Sequence, residues 1–449
     1  MQLFARDALL PGGWARDACL QWDAQGRLAR VDAGAACPAG VAVCRGPVIA
    51  GMPNLHSHAF QHGFAGLAEY RAREDDSFWS WRESMYRFAA RITPDELEAI
   101  ATHLYLRMLH GGYTSVCEFH YLHHDRDGRP YADDATMAQC LLRAARRAGI
   151  GITLLPVLYQ CAGFGEVPSL PEQRRFVRST RSLLGLIERL RAEPDAAGQR
   201  IGFAAHSLRA VPAQSLQEAL AGLDAIDSTA PIHIHIAEQQ REVAECVAWS
   251  GQRPVAWLLA HADVDRRWCL VHATHLSPQE RVAAAHTGAV AGLCPTTEAN
   301  LGDGTFDAGG WMASAGRWGI GSDSHVCVDA AEELMALEYS QRLSLQRRNV
   351  LAGPRDASVA AAMMQAAVAG GAQASGRAVA GIEVGQQADF VVLDDRHPAL
   401  AGLRAEQMLS AHVFASDRTS AIHDVYAAGE ARIVAGRHRD DEEATARFG

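Results

Sequence analysis

From Gly51 to about Gly376, short apolar runs typical of strands alternate with stretches of helical periodicity. Repeated strand and helix units of this kind predict a parallel sheet whose strands are joined by crossover helices. The strand-like runs after the first one lie at 113 to 119, 152 to 158, 201 to 205, 231 to 236, 269 to 271, 289 to 293 and 318 to 321. About eight such units predict a (β/α)8 barrel.

Both ends of the chain differ from this α/β body. Residues 1 to 50 and 379 to 449 contain short β-like runs separated by Gly-rich turns. The simplest architecture is a TIM-like barrel at 51 to 378, with a small composite β-sandwich domain built from both termini. The last ten residues, DDEEATARFG, are expected to form a solvated tail.

Two local patterns lie early in the predicted barrel. The segment 69 to 91 is a long aromatic and charged insertion after the first strand, which suits a lid over a pocket. A helix is predicted at 93 to 110, because Thr93, Pro94 and Glu96 form the start of a capping box.

Charge and composition exclude several classes of function. The net charge is -10 and no basic stripe is present, so we expect no nucleic-acid partner. The chain has no apolar window long enough to span a bilayer and no signal-like N-terminus, so we expect a cytoplasmic protein without membrane contact.

All its basic residues are arginines. The absence of lysine excludes Schiff-base chemistry and a carboxylated-lysine metal bridge.

The first predicted strand ends in two histidines, His56 and His58. Side chains at i and i+2 of a strand point the same way, so both imidazoles can face the barrel axis and share a metal ion. This pattern alone is weak, because the chain has 20 histidines and the run PIHIHI contains a second such pair.

Further polar residues end the later strands. His206 ends one run, His235 and Glu238 follow the next, and His272 and Asp323 end two more. Active sites of barrel enzymes are built at the carboxyl ends of their strands. Five such strand ends in sequence order predict a catalytic site better than they predict buried structural histidines.

This set matches the needs of hydrolysis. A zinc ion could be held by His56, His58, His235 and Asp323, with a coordination position left for water. Asp323 could then accept a proton from that water, and His272 could stabilise charge in the tetrahedral intermediate. Glu238 is placed to carry protons to a leaving nitrogen. We therefore expect Glu238, His272 and Asp323 to be catalytic.

The runs HSH, HIAE, VHATH and GSDSH, together with the C-terminal GIEVGQQADFVVLD, resemble the amidohydrolase superfamily along nearly the whole chain. Within it, the chain is similar to the mononuclear-zinc aminohydrolases. The missing lysine agrees, since relatives with two metal ions commonly use a carboxylated lysine. In this branch the histidine of HxxE is the metal ligand, which favours His235 over His233.

The segments HSHAFQHGFAG, WSWRESMYRF, EFHYLHHD, AAHSLRAV and LCPTTEANLGDG resemble those of N-formimidoyl-L-glutamate deiminases, a family that hydrolyses a formimidoyl group during histidine degradation. The resemblance implies substrate contacts at Gln61, Arg82, Tyr121, His206 and Arg209. It also implies a small dicarboxylate substrate and one divalent metal ion per chain, with zinc favoured and iron or manganese possible alternatives. A homodimer is expected.

The chemistry of the implied substrate independently supports a binding role for the two arginines. A dicarboxylate needs two cationic partners, and arginine offers a bidentate fork that suits carboxylate. Arg209 lies three residues beyond a strand end, whereas Arg82 on a helix could also be a solvated surface residue.

Two alternatives stay open. The same branch deaminates nucleobase-like and triazine rings, but such substrates call for stacking and amide contacts rather than for arginines. The barrel could also be a catalytically dead scaffold, which should have lost its metal ligands or its proton shuttle.

Overall fold

The computed structural model describes residues 1–71, 74, 76–193, 199–353, 357–415 and 421–449. Within these residues, strands from both termini form one seven-stranded sheet: β1 (Gln2–Leu10), β2 (Gly13–Trp22), β3 (Leu28–Asp32), β4 (Val48–Ala50), β16 (Phe390–Leu393), β17 (Ile422–Ala427) and β18 (Glu430–Ile433). The order across the sheet is β18-β17-β16-β4-β1-β2-β3. A composite domain built from both termini is therefore confirmed, but its described strands pair edge to edge in one sheet rather than in the two layers of the expected β-sandwich.

A second sheet forms the predicted barrel. Its main path, as far as the chain is described, has eight parallel strands: β5 (Met52–Ser57), β6 (Tyr113–His120), β7 (Gly151–Leu158), β11 (Phe203–Ser207), β12 (Ile232–Ile236), β13 (Trp268–His272), β14 (Val290–Leu293) and β15 (Arg317–Ile320). Every position of β5, β6 and β12 is buried, as expected when helices cover a parallel sheet. The (β/α)8 fold is confirmed.

The barrel closes between its first and last strands. Ser57 and Asp323 form a parallel bridge there, and the backbone N–H of Asp323 donates to the carbonyl of His56 at 3.0 Å. The two segments approach closely, because a Cβ added to Gly321 would lie 2.7 Å from the nitrogen of His56. This seam brings the HxH pair and Asp323 together.

Helices surround the barrel and extend the composite domain. In chain order they are α1 (Phe78–Ala89), α2 (Pro94–His110), α3 (Thr136–Ala148), α4 (Thr180–Arg191), α5 (Ala213–Asp227), α6 (Gln240–Ser250), α7 (Pro254–His261), α8 (Pro278–His286), α9 (Pro295–Leu301), α10 (Ala308–Ala313), α11 (Ala330–Leu345), α12 (Val359–Ser375), α13 (Ala405–Phe414) and α14 (Asp441–Phe448). The start of α2 is the predicted capping box: Glu96 N–H donates to Thr93 Oγ1 at 3.2 Å, and Thr93 N–H donates to Glu96 Oε2 at 2.7 Å.

Short elements complete the barrel. Strand β10 (Gln199–Ile201) pairs with β7, and β8 (Cys161–Gly163) forms a small hairpin with β9 (Val167–Pro168). Two 3-10 helices, at Ala59–Phe64 and Pro171–Gln173, follow β5 and β9 within the described residues. Across the part of the chain that is described, no helix has the length and apolarity to cross a membrane.

The expected C-terminal tail is helical, although most of its side chains are exposed as predicted. Residues Asp441–Phe448 form α14, which packs against α2. Phe448 stacks on the ring of His103 with 4.3 Å between centroids, and Asp441 lies 2.9 Å from His110 Nε2. The acidic residues that suggested a tail instead lie in the first turn of the helix, where negative charge is favourable.

Candidate active site

The four residues predicted to hold a metal ion converge at the carboxyl end of the barrel. The Nε2 atoms of His56, His58 and His235 lie 3.0 to 3.3 Å from one another. One carboxylate oxygen of Asp323 lies 3.3 Å from the Nε2 atoms of both His56 and His58. Three ring nitrogens and one oxygen thus face a common point.

The protonation of these rings shows what fits between them. Nδ1 of His58 lies 3.0 Å from the carbonyl of Phe119, and Nδ1 of His235 lies 3.0 Å from the carbonyl of His206. A carbonyl can only accept, so each Nδ1 carries the hydrogen and each neutral ring turns a bare lone pair inward. Burial keeps the rings neutral, since it lowers the pKa of His56 to about 3.

Lone pairs and a carboxylate that face each other at this distance repel unless a cation lies between them. Three imidazole nitrogens and one carboxylate oxygen are a ligand set that catalytic zinc sites use, with a further position left open. The side chains therefore fit a divalent metal ion.

The HxH pair rests on a buried carboxylate that sequence reasoning missed. Glu118 accepts hydrogen bonds from Ser57 Oγ and from the backbone N–H of Ala59, both at 2.7 Å. The hydroxyl of Tyr105 donates to the same carboxylate at 3.1 Å. Glu118 thus holds the chain on both sides of His58. Its position near the end of β6 was the available signal, but many buried residues share that property.

The predicted catalytic residues Glu238 and His272 lie beside the metal-ligand cluster. His272 Nε2 is 3.9 Å from Glu238 Oε1 and 4.0 Å from Asp323 Oδ2. Burial raises the pKa of Glu238 to about 7, although the charges of His272 and Arg209 oppose this shift. For His272, burial favours the neutral ring, but the surrounding carboxylates outweigh it and raise the pKa to about 10.

Glu298 was also missed by sequence reasoning. One of its carboxylate oxygens accepts the backbone N–H of Cys294 at 2.9 Å and lies 3.3 Å from His272 Nδ1. It belongs to the segment LCPTTEAN, whose resemblance to a known family was the only signal for it. This contact orients the ring of His272 so that Nε2 faces the pocket.

Several strands end here in strained backbone. Ala237, His272 and Asp323 have φ values of 51°, 65° and 43°, in the left-handed region that residues other than glycine rarely adopt. The carboxylate of Glu242 accepts the N–H groups of Ala237 and Glu238 at 3.1 and 3.0 Å, which supports the first of these turns. Such strain concentrates where side chains must be aimed at a reaction centre.

The residues predicted to contact substrate line one pocket next to the cluster: Gln61, Arg82, Tyr121, His206 and Arg209. The amide of Gln61 donates to the hydroxyl of Tyr121 at 3.0 Å, and the ring of Tyr121 packs against His58 with 5.1 Å between centroids. His206 lies between Tyr121 and Tyr159, with ring centroids 5.5 and 4.6 Å away. All five residues are brought together.

The two arginines share an aromatic neighbour. The guanidinium carbons of Arg82 and Arg209 lie 4.5 and 5.7 Å from the ring centroid of Trp79. Arg241, on α6, lies 4.4 Å from the same ring. Among the described residues, neither Arg82 nor Arg209 forms an ion pair with a carboxylate within 4 Å, and Arg209 Nε has no hydrogen-bond partner. The pocket therefore holds two guanidinium groups that make no direct ion pair with a described carboxylate, although, against the effect of burial, the charges of Glu242 and Glu238 act on Arg209 and raise its pKa.

The segment predicted as a lid forms one wall of this pocket. Helix α1 contributes Phe78, Trp81, Arg82, Met85 and Tyr86 to the lining. Residues 72, 73 and 75 of the segment 69 to 91 lie outside the described residues. The pocket is small, about 50 Å³, so α1 encloses it closely.

Comparisons with known proteins agree with this geometry. Residues 48–432 match the model of the amidohydrolase family, and residues 2–41 match the N-terminal domain of formimidoylglutamate deiminase HutF. The chain is 50% identical over 448 residues to a formimidoylglutamate deiminase from Pseudomonas aeruginosa, covering 99% of this chain and 97% of the relative.

Other similarities are structural or more distant. A crystal structure of an amidohydrolase from Brucella melitensis superposes with a TM-score of 0.94 at 46% identity, covering 100% of this chain and 98% of the other. A 5-methylthioadenosine/S-adenosylhomocysteine deaminase from Haloarcula marismortui is 25% identical over 382 residues, covering 84% of this chain and 78% of that relative.

Proposed function

This chain belongs to the amidohydrolase family, and we propose that within this family it hydrolyses N-formimidoyl-L-glutamate to N-formyl-L-glutamate and ammonia, a step of histidine degradation. One observation carries the choice of substrate. The pocket that holds the metal-ligand cluster also holds Arg82 and Arg209, and neither arginine makes a direct ion pair with a described carboxylate. A dicarboxylate with a hydrolysable amidine fits both features.

We propose that the ion is zinc, held by His56, His58, His235 and Asp323. Iron and manganese also accept three imidazoles and one carboxylate, so metal analysis must decide between them. When bound, such an ion lowers the pKa of water and stabilises negative charge on a reacting oxygen.

The proposed binding mode places the substrate between two charged regions. Its carboxylates meet Arg82 and Arg209, assisted by the polar groups of Gln61, Tyr121 and His206. The formimidoyl carbon then faces the cluster and Glu238. Helix α1 forms one wall of the pocket, so a bound substrate that displaces water there strengthens the charge pairs.

The reaction requires one bond to form and one to break. The oxygen of water bonds to the formimidoyl carbon, and the bond from that carbon to the terminal nitrogen breaks. Both protons of the water end on that nitrogen, which leaves as ammonia. We assign the first proton transfer to Asp323 and the delivery to nitrogen to Glu238, whose pKa of about 7 lets it hold or release a proton at neutral pH.

His272 contributes to the same reaction by stabilising charge. Its ring is fixed by Glu298, and the carboxylates around it favour the charged form. A positive charge at this point stabilises the oxyanion of the tetrahedral intermediate.

The two alternatives are weaker on specific grounds. A dead scaffold has no need of a complete set of metal ligands with a buried glutamate beside them. A planar ring substrate carries no carboxylates for the two arginines of the pocket to bind. We also propose that the protein is a cytoplasmic homodimer. Light scattering on the purified protein tests the oligomeric state.

The decisive experiment measures ammonia release. The purified enzyme is assayed with N-formimidoyl-L-glutamate, and then with guanine and adenosine as alternative substrates and as competitors. We expect rapid release from the dicarboxylate and none from the rings. Turnover of either ring above that of N-formimidoyl-L-glutamate would move the chain to the ring-deaminase alternative.

A further inference from the structure

A hydrogen-bonded cluster lies in the pocket wall beside the arginines and belongs to none of the roles assigned so far. It consists of Tyr86 on α1, Tyr159 after β7, and Gln173 in the 3-10 helix Pro171–Gln173. Both tyrosines line the pocket, and Gln173 is fully buried behind them. Three separate segments of the chain therefore meet at this point.

The orientation of the Gln173 amide follows from its neighbours. Its Oε1 accepts the backbone N–H of Leu170 at 2.8 Å, and a backbone N–H can only donate. The NH2 group must therefore point the other way, where it donates to the hydroxyl oxygens of Tyr159 at 2.7 Å and Tyr86 at 3.2 Å. Gln173 thus makes both tyrosine oxygens acceptors.

A hydroxyl that accepts from Gln173 still has its own hydrogen to donate. The hydroxyls of Tyr86 and Tyr159 lie close enough to act on each other, so contact between them uses at most one of the two hydrogens. The other is left for a partner in the pocket, and a buried hydroxyl without an acceptor is costly. The cluster therefore presents a donor to whatever occupies the pocket.

The charges around this donor select the partner. Arg209 and Arg82 both lie close enough to Tyr159 to act on it electrostatically. Two guanidinium groups and a hydroxyl donor together form a site for an anion. A carboxylate, with several lone pairs, can accept from all of them at once.

The position of the cluster indicates which carboxylate it takes. The ring of Tyr121 packs directly against the predicted metal ligand His58. Tyr159, in contrast, is separated from His235 by the ring of His206, which lies 4.6 Å from Tyr159 and 5.1 Å from His235. Tyr159 therefore lies farther from the rings of the predicted metal ligands than Tyr121 does.

We propose that Tyr86 and Tyr159, held as donors by Gln173, form with one of the guanidinium groups of Arg82 and Arg209 the subsite for the side-chain carboxylate of the substrate. The carboxylate next to the formimidoyl nitrogen is then left to the other guanidinium group, with Gln61 and Tyr121. This inference rests on the proposed function and deepens it. In this proposal the tyrosine pair selects substrates by the distance between the amidine and the second carboxylate. Gln173 is then a positioning residue.

The test compares two substrates across three variants. N-formimidoyl-L-glutamate carries the side-chain carboxylate, and N-formimidoylglycine lacks it. Tyr159→Phe and Tyr86→Phe each remove one oxygen, and Gln173→Glu replaces the donor with an acceptor of the same shape. We expect each to lower kcat/KM for the glutamate substrate by about 10- to 100-fold, mainly through KM, and to change the glycine substrate by less than about threefold.

The matched control is Tyr113→Phe. The Tyr113 hydroxyl is buried outside the pocket and has no hydrogen-bond partner among the described residues. This variant should retain wild-type constants for both substrates. Binding of glutarate, measured by calorimetry, provides a reading that does not depend on turnover. Glutarate should bind more weakly to Tyr159→Phe and unchanged to Tyr113→Phe.

The outcomes distinguish a failure of the proposed subsite from a failure of the proposed function. A wild-type enzyme that does not turn over N-formimidoyl-L-glutamate overturns the proposed function. If wild type is active but Tyr159→Phe and Tyr86→Phe keep wild-type selectivity between the substrates, the subsite is overturned. Equal losses on both substrates would also overturn it, because they indicate a structural defect. Should Gln173→Glu fail to fold, the two Phe variants decide.

Discussion

The Nδ1 atom of His272 lies 3.3 Å from a carboxylate oxygen of Glu298, and this contact turns the opposite ring nitrogen toward Glu238 and Asp323. Glu298→Gln keeps the size of the side chain but removes the charge that favours the protonated ring. We expect turnover to fall by about 10²-fold or more, with metal content unchanged.

The control for that variant is Glu333→Gln. Glu333 is also buried and also anchors the start of α9, where it accepts the N–H of Thr296 at 2.9 Å, but among the described residues it makes no hydrogen bond or ion pair with His272. It should retain turnover. Equal loss in both variants would show that α9 needs anchoring and that the His272 contact has no special role.

Metal analysis tests the cluster itself. We expect one divalent ion per chain, and none in His235→Gln. His233→Gln is the matched control, since His233 lies on the same strand but its Nε2 donates to the carbonyl of Ala374 at 2.8 Å. That variant should keep its metal ion. Two tightly held ions per active chain, or full activity in metal-free protein, would contradict the mononuclear site.

Glu238→Gln should keep the metal ion and lose most turnover. The carboxamide fills the same space but cannot carry a proton to the leaving nitrogen. General acid and base groups contribute about 10²- to 10⁴-fold, and we expect a loss in this range in kcat. If Glu238→Gln turned over at a near wild-type rate, Glu238 would have only a structural role. Another group would then carry the proton to the leaving nitrogen, and His272 would be the next residue to test.

Arg209→Met should weaken recognition of the dicarboxylate. Removing a cation while its carboxylate stays buried costs on the order of 2 to 5 kcal/mol, so kcat/KM for N-formimidoyl-L-glutamate should fall about 30-fold or more. A truncated formimidoyl substrate without the corresponding carboxylate should change little. Arg189→Met, at an exposed ion pair with Asp133, is the control. Unaltered substrate preference in both Arg209→Met and Arg82→Met would favour the ring-deaminase alternative.

Trp79 should affect the same preference more mildly. Its ring lies within 6 Å of the guanidinium carbons of Arg82 and Arg209 and so helps to hold them. Cation–π contacts contribute about 0.5 to 2 kcal/mol. Trp79→Leu should therefore raise KM for the dicarboxylate by about 3- to 20-fold, whereas Trp249→Leu, at a tryptophan stacked on Phe164, should not. Equal KM values in the two variants would remove Trp79 from substrate recognition.

The barrel and its cluster of metal ligands could be predicted because their signals are local. His56 and His58 follow one apolar run and Asp323 follows another, and the carboxyl ends of barrel strands meet at one face. That rule alone predicts that His58 and Asp323 lie close together across the seam. The same rule placed Arg209 near the pocket.

The residues that support the site could not be predicted in this way. Gln173 sits in a short 3-10 helix after a hairpin, and nothing in its neighbours along the chain indicates that its amide reaches two tyrosines. Its contacts with Tyr86 and Tyr159 join segments that are distant in sequence. The C-terminal helix was misjudged for a related reason: its stability depends on Phe448 and Asp441 packing on α2, a contact that composition does not show.

The seam between the first and last barrel strands has a consequence for how the protein is made. His56 and His58 leave the ribosome early, whereas Asp323, which faces them across the seam, is synthesised only after the seven further strands of the main barrel path. A nascent chain therefore exposes two histidines long before the set is complete. Selective capture of an ion must wait for synthesis past residue 323, and chains that terminate earlier should be both metal-free and open to proteolysis.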